Sequence, residues 1–221
     1  TGGGVHFHTS FAENRLIDCH IQGCHTMDAW AGGDTGGLSL WNGRLTMIRG
    51  SITGCRAKGE YGGAHVAKRG TLSLADVLVA DCLSYAESGG GGGIGVVGNL
   101  IMSGGAIRNC HASNGGNGGG LFAMGEIAQV QLSGTTVQGC TAVIASGGGM
   151  WIDGPNAQAQ LNEVTVQGCI ASYGGGMRIE NGVAFLVDVS FEDCKGAFDG
   201  GAISQNVAST LHANRVRVAR C

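Results

Sequence analysis

Two short stretches place carboxylates where acid–base chemistry could occur. Residues 150–153 (MWID) and 177–180 (MRIE) share one alternation of apolar and polar positions. Two carboxylates about 5 Å apart, with an arginine and an aromatic side chain beside them, could serve a glycosidase or a polysaccharide lyase. In that hypothesis the catalytic residues are Asp153, Glu180 and Arg178. The simpler interpretation, which the sequence favours, is an ion pair between Arg178 and Asp153 or Glu180.

Eight of the nine cysteines recur at intervals of 25 to 31 residues. Zinc needs clustered Cys and His ligands, and a catalytic thiol needs a nearby base. Cysteines that occur once per repeat form a column instead, so we expect core-facing fillers and no metal site. The column consists of Cys24, Cys55, Cys82, Cys110, Cys140, Cys169, Cys194 and Cys221. Both free thiols and disulfides between adjacent repeats remain open, and Cys19, outside the series, is expected to be a buried thiol.

Composition excludes several classes of function. The chain has 44 glycines in 221 residues, about three times average usage. Its glycine runs are not followed by the Lys-Ser/Thr and helix of a phosphate-binding loop, and we expect no cofactor. With 13% charged residues and a net charge of −3, the chain offers no basic surface for nucleic acid. No apolar run is long enough to predict a membrane-spanning segment.

Aligning the repeats on their cysteines shows a period of two residues. Three residues before each cysteine lies Ile, Val or Phe, and upstream a Gly-Gly pair precedes an apolar–x–apolar triplet. Alternation over three to five residues, interrupted by turns, is typical of short strands with one buried face. Each repeat therefore predicts three strands. Stacked repeats predict an all-β, single-stranded parallel β-helix (β-solenoid) of about eight rungs.

The residue just before each column cysteine indicates a turn. Seven of the eight are Gly, Asn or Asp, which tolerate positive φ, so we expect a left-handed corner there. The eight residues are Gly23, Gly54, Asp81, Asn109, Gly139, Gly168, Asp193 and the exception, Arg220.

Two short motifs resemble a known repeat family. Residues 200–203 (GGAI) are similar to the GGAI signature of polymorphic-outer-membrane-protein repeats, and residues 191–194 (FEDC) to their FxxN signature, with Cys194 replacing Asn. The resemblance implies a right-handed, pectin-lyase-like β-helix. It also implies a secreted or cell-surface location and an adhesive role.

Outward positions of the strand after Gly-Gly predict a surface column. Its members are His6, Ser39, His65, Gly95, Phe122, Trp151, Arg178 and Ile203. Within and beside it, Phe122, Met124 and Trp151 predict an exposed apolar patch for a partner. The alternative is that glycine-rich loops fold over these side chains.

Together these features predict one domain over residues 1–221, as a fragment of a longer solenoid. Protein partners or further repeats would cover both ends. We expect a structural or adhesive, non-enzymatic rod, extracellular or on the cell surface, with carbohydrate as a further ligand class. The alternative is a carbohydrate-active enzyme that uses the outward carboxylates of one sheet.

Overall fold

The computed structural model describes residues 3–26, 35–87 and 89–221, in which the chain forms 28 strands and no helix. The strands pair in parallel into three sheets that surround one core, which confirms the predicted solenoid. The first sheet contains β1 (Val5–Ile17), β4 (Leu38–Ile48), β7 (Ala64–Ala75), β10 (Ile94–Val96), β11 (Asn99–Ser103), β14 (Leu121–Met124), β15 (Gln129–Ser133), β18 (Met150–Asp153), β19 (Gln158–Asn162), β22 (Met177–Ile179), β23 (Val183–Val187), β26 (Ile203–Gln205) and β27 (Thr210–Asn214).

The other two sheets consist of shorter strands, one from each turn of the solenoid. The second sheet contains β2 (His20–Gln22), β5 (Ser51–Thr53), β8 (Leu78–Ala80), β12 (Ala106–Arg108), β16 (Thr136–Gln138), β20 (Thr165–Gln167), β24 (Ser190–Glu192) and β28 (Arg217–Ala219). The third sheet contains β3 (His25–Thr26), β6 (Arg56–Ala57), β9 (Leu83–Ser84), β13 (His111–Ala112), β17 (Thr141–Ser146), β21 (Ile170–Tyr173) and β25 (Lys195–Asp199).

The first sheet divides after β7. Strands β1, β4 and β7 cross its whole width, and beyond them it separates into a first branch (β10, β14, β18, β22 and β26) and a second branch (β11, β15, β19, β23 and β27). Glycine marks the gap between the branches: a Cβ atom at Gly154 would lie 2.4 Å from the carbonyl oxygen of Gly125 one turn away. Later turns therefore have four short strands where the sequence predicted three.

Left-handed corners separate the sheets. All eight predicted residues before the cysteines have φ between 50° and 63°, and Arg220, the exception in type, has φ 53°. A second column of such corners, which the sequence analysis missed, joins the first sheet to the second: Asp18, Arg49, Asp76, Gly104, Gly134, Glu163, Asp188 and Arg215. Each arginine at these corners forms an ion pair with the aspartate that occupies the same corner one turn earlier. Arg220, for example, lies 2.6 Å from Asp193.

Six of the eight column cysteines are buried in the core, whereas Cys24 is partly buried and Cys221 is exposed; all nine cysteines are free thiols. Each column thiol donates to the carbonyl oxygen two residues earlier, just before the left-handed corner; Cys82, for example, lies 3.2 Å from the oxygen of Ala80. A Cβ atom at Gly149 would lie 3.3 Å from Cys169 Sγ and 2.5 Å from the oxygen of Gly176. The Gly-Gly pairs thus allow consecutive turns to pass close beside the thiols. Cys19 is only partly buried.

Candidate functional site

Strand register confirms most of the predicted outward column of the first branch. His65 aligns with Gly95, Gly95 with Phe122, Phe122 with Trp151, and Trp151 with Arg178. The last member is wrong, because Arg178 aligns with Ser204, whereas Ile203 aligns with Met177 and packs against the core. Ala202 occupies the position that Gly176 holds one turn earlier, so the residues that follow it are displaced by one from the predicted alignment.

The predicted apolar patch is not an exposed surface. Phe122 is 0% exposed and Trp151 7% exposed, and only Met124 is exposed. Tyr61 covers Gly95, where a Cβ atom would lie 2.0 Å from its ring, and it forms one cluster with Phe122 and Trp151. The rings of Phe122 and Trp151 are stacked at 4.8 Å between centroids. The prediction of a partner patch at Phe122, Met124 and Trp151 is therefore wrong.

The same cluster contains a buried histidine. The ring of His65 stacks on Tyr61 at 4.3 Å between centroids. Its Nδ1 atom has no hydrogen-bond partner in the described part of the chain. Burial lowers the pKa of His65 to about 4 and raises that of Tyr61, because the charged form of each group is poorly solvated there. Both side chains are therefore neutral at neutral pH.

The three catalytic candidates belong to a network of side-chain contacts. Arg178 Nε lies 3.6 Å from Glu180 Oε2, and that oxygen also accepts a 3.4 Å hydrogen bond from Trp151 Nε1. Asp153 Oδ1 instead accepts a 2.6 Å hydrogen bond from Asn181 Nδ2. The predicted ion pair therefore exists with Glu180, and Asp153 has an amide partner.

Two further residues complete the surroundings of Arg178. Its Nη1 atom lies 3.6 Å from Asp199 Oδ2 and donates to the hydroxyl of Ser204, which in turn donates to Asp199 over 2.6 Å. Asp199 ends β25 of the third sheet, so no spacing within the first-sheet repeats could have revealed it. Arg178 also lies over the ring of Tyr173, 5.8 Å from its centroid.

Chemically, this arrangement holds a cation between two carboxylates. Glu180 Oε1 accepts from Asn206 Nδ2 over 3.4 Å, so each of its oxygens has a partner. A general acid or base must instead approach a substrate proton. Among the described residues, no group of three or more Cys, His, Asp or Glu side chains could hold a metal ion.

An exposed apolar surface does occur, on the third sheet. Val143 and Ile144 of β17, Tyr173 of β21 and Phe198 of β25 form this third-sheet patch, with Ile144 70% and Phe198 76% exposed. The rings of Tyr173 and Phe198 lie 5.6 Å apart. The patch residues lie on third-sheet strands, which follow the cysteines, and not on the strand after the Gly-Gly pair, so the predicted outward column does not include them.

Parallel sheets, repeated left-handed corners and one continuous core define a β-solenoid. The family described as a right-handed β-helix region matches residues 36–216, and the chain belongs to this family. The match confirms the expected handedness. No curated protein and no solved structure matches the chain. Within the described residues there is also no helix long and apolar enough to cross a membrane.

Proposed function

We propose that this protein is a structural or adhesive β-helical rod that binds its partners without catalysing a reaction. The observation behind the proposal is the state of its best acid–base candidates. Glu180 and Arg178 are partners of each other, and Asp153 accepts a hydrogen bond from Asn181. Groups that hold adjacent turns together stabilise a wall of the solenoid, whereas a hydrolase or lyase needs them free to meet a substrate.

The third-sheet patch supports a role in contact with other molecules. Exposed Val143, Ile144, Tyr173 and Phe198 span three successive strands of one face. Contiguous apolar surface of this kind is typical of interaction sites. We propose that rods associate side by side through this face, in place of the patch predicted around Trp151.

A finer family placement is part of the same proposal. The GGAI and FxxN-like motifs at 200–203 and 191–194 favour a relationship to polymorphic-outer-membrane-protein repeats within pectin-lyase-like β-helices. An adhesive rod of that kind acts outside the cell or on its surface. Protection of the protein from an externally added protease in intact cells would contradict this location.

Catalysis is tested by incubating the protein with polygalacturonate, xylan and a soluble β-glucan, followed by analysis for new reducing ends and unsaturated products. We expect no turnover. Turnover that Asp153→Asn abolishes and Glu163→Gln retains would overturn the proposal, because Glu163 occupies an exposed corner between the first and second sheets.

Side-by-side association is tested by sedimentation over a range of protein concentrations. Ile144→Ser and Phe198→Ser should weaken association, since both side chains belong to the third-sheet patch. Val207→Ser provides the matched control, because Val207 is fully exposed but lies between the branches of the first sheet. A wild-type protein that stays monomeric throughout, or equal loss in all three variants, would contradict this mode of contact.

A further inference from the structure

The cysteine column contains six thiols that the core encloses completely. None of the six is more than 1% exposed, and they follow one another along the column: Cys55, Cys82, Cys110, Cys140, Cys169 and Cys194. The residue after each of them donates its backbone N–H to the carbonyl oxygen of the cysteine one turn earlier, as Leu83 does to Cys55 over 2.9 Å. The column is therefore in register, with one thiol in each turn.

The stacking of the turns sets the distance between neighbouring thiols. Parallel strands lie about 4.8 Å apart, and an in-register column places equivalent atoms at that interval. The bond between a thiolate and a zinc ion is about 2.3 Å long, and other first-row metal ions form bonds of similar length. Two such bonds in line span about 4.6 Å. An ion on the line between two sulfur atoms therefore fits the spacing of the column.

Backbone carbonyl groups place negative partial charge around the sulfur atoms. Cys82 Sγ lies 3.2 Å from the oxygen of Ala80 and 3.6 Å from the oxygen of Ile52 on the turn before. Cys140 Sγ has the same two kinds of neighbour, at 3.4 Å and 3.7 Å. A thiol has one proton, so only one of the two oxygens can accept it. These surroundings oppose a bare thiolate and favour a sulfur atom that is bound to a cation.

Glycines of the Gly-Gly pairs lie across the core from the column. A Cβ atom at Gly63 would lie 3.1 Å from Cys82 Sγ, and one at Gly120 would lie 3.1 Å from Cys140 Sγ. Because glycine has no side chain, these sulfur atoms can adjust their positions on this side when they bind an ion.

The number of available ligands selects the ion. Each gap in the column offers two sulfur atoms, and no group of three or more Cys, His, Asp or Glu side chains able to hold a metal occurs within residues 3–26, 35–87 and 89–221. Structural zinc and iron–sulfur clusters take four ligands. Cu(I) is a soft ion that prefers thiolates, and it is stable with two of them in line. The column therefore suits Cu(I), at sites unlike the clustered zinc site that the sequence excludes.

We propose that Cu(I) ions occupy the gaps between the buried thiols and form a chain along the core. Six thiols leave five gaps, and each inner sulfur atom bridges the ions on its two sides. Every Cu(I) replaces one thiol proton, which passes to the solvent, so the core gains no net charge and no group is oxidised or reduced. The inference goes beyond the proposed function and does not depend on it.

Refolding in the presence of copper tests the loading of the column. Because the folded core encloses the thiols, the protein is unfolded in urea and refolded without oxygen in the presence of Cu(I) supplied as its acetonitrile complex, then desalted. We expect at least about five copper ions per chain, each with two sulfur neighbours by X-ray absorption. Fewer than about four ions per chain, or equal retention of zinc in a parallel refolding, would overturn the inference.

Urea unfolding of the loaded protein shows which state of the chain holds the copper. Ions bound in the folded column should raise the unfolding midpoint above that of the metal-free protein, because a ligand stabilises the state that binds it. Ions bound by the exposed thiols of the unfolded chain would lower it. An unchanged or lowered midpoint would refute the placement of copper in the column.

Single substitutions locate the ions within the column. Cys110 and Cys140 each border two gaps, so Cys110→Ala and Cys140→Ala should each lose about two copper ions per chain. Cys19→Ala is the matched control, because Cys19 lies outside the column, and it should keep the full complement. Circular dichroism checks that each variant folds, and the second substitution keeps the test decisive if the first prevents folding. Full loading of the column variants, or an equal loss in the control, would refute the assignment.

Discussion

Arg178 is held by two carboxylates that can be removed one at a time. Its side chain is only 14% exposed, and Glu180 and Asp199 each lie 3.6 Å from it. Removing either carboxylate leaves the other to balance the charge, whereas removing both leaves a largely buried cation with no acidic partner among the described residues. We therefore predict that the two losses are strongly non-additive.

The magnitudes follow from exposure. Asp199 is 59% exposed, so Asp199→Asn should cost about 0.5 kcal/mol of unfolding free energy. Glu180 is less exposed and also accepts from Trp151, so Glu180→Gln should cost about 1 kcal/mol. The double variant leaves a buried charge unpaired and should cost about 3 kcal/mol, which exceeds the sum of the single losses by about 1.5 kcal/mol.

Urea unfolding followed by circular dichroism provides the assay, with midpoints compared at an unchanged denaturant dependence. Adding Arg178→Met to the double variant should restore part of the stability, because the unpaired charge is then gone. Additive losses, or no recovery on adding Arg178→Met, would refute the view that Arg178 depends jointly on both carboxylates.

Three further predictions concern the core and the corners. Because the pKa of His65 is about 4 when folded and about 6.5 when unfolded, protonation favours the unfolded chain. The free energy of unfolding should thus fall by about 3 kcal/mol between pH 6.5 and 4. His65→Phe should remove this loss, and a variant with the same pH dependence as the wild type would contradict the prediction. A thiol reagent should modify at most Cys19, Cys24 and Cys221 in the native protein, and the six buried cysteines only after unfolding, as absorbance titration can show. Glu163→Gly should stabilise the protein by about 1 kcal/mol, because Glu163 has φ 54° and no partner among the described residues. Arg215→Gly also removes the ion pair with Asp188 and should therefore raise the free energy of unfolding by less. Thermal melts of the two variants measure both changes.

The corners show how much of this fold the sequence reveals. A residue type that tolerates positive φ, repeated before seven of the eight column cysteines, predicted one corner column, and Arg220, the exception in type, also has positive φ. The other column includes Arg49, Glu163 and Arg215. These residue types rarely adopt positive φ, so the sequence does not indicate the left-handed conformation there. Ion pairs such as Arg49 with Asp18 accompany two of them, and such pairs depend on register that is visible only after the turns are stacked.

The candidate site was predictable only in part, for a geometric reason. Repeats align residues along one strand column, so the neighbours Arg178 and Glu180 could be found. Contacts that cross from one sheet to another, such as Asp199 with Arg178, have no fixed sequence offset. The burial of Phe122, on which Trp151 stacks, also depends on Tyr61, which reaches the column from a turn outside the strand, where Gly95 leaves room for its ring.

The division of the first sheet gives the solenoid a place to accept inserted sequence. In the turns where the first sheet is divided, only two to four residues join the branches, and they include glycines at 98, 125, 154 and 182. Extra residues there would leave both corner columns and the thiol column in phase, because pairing on either side of the gap is independent. A peptide inserted after Gly125 would be displayed beside the rod, so new recognition loops can be acquired one turn at a time.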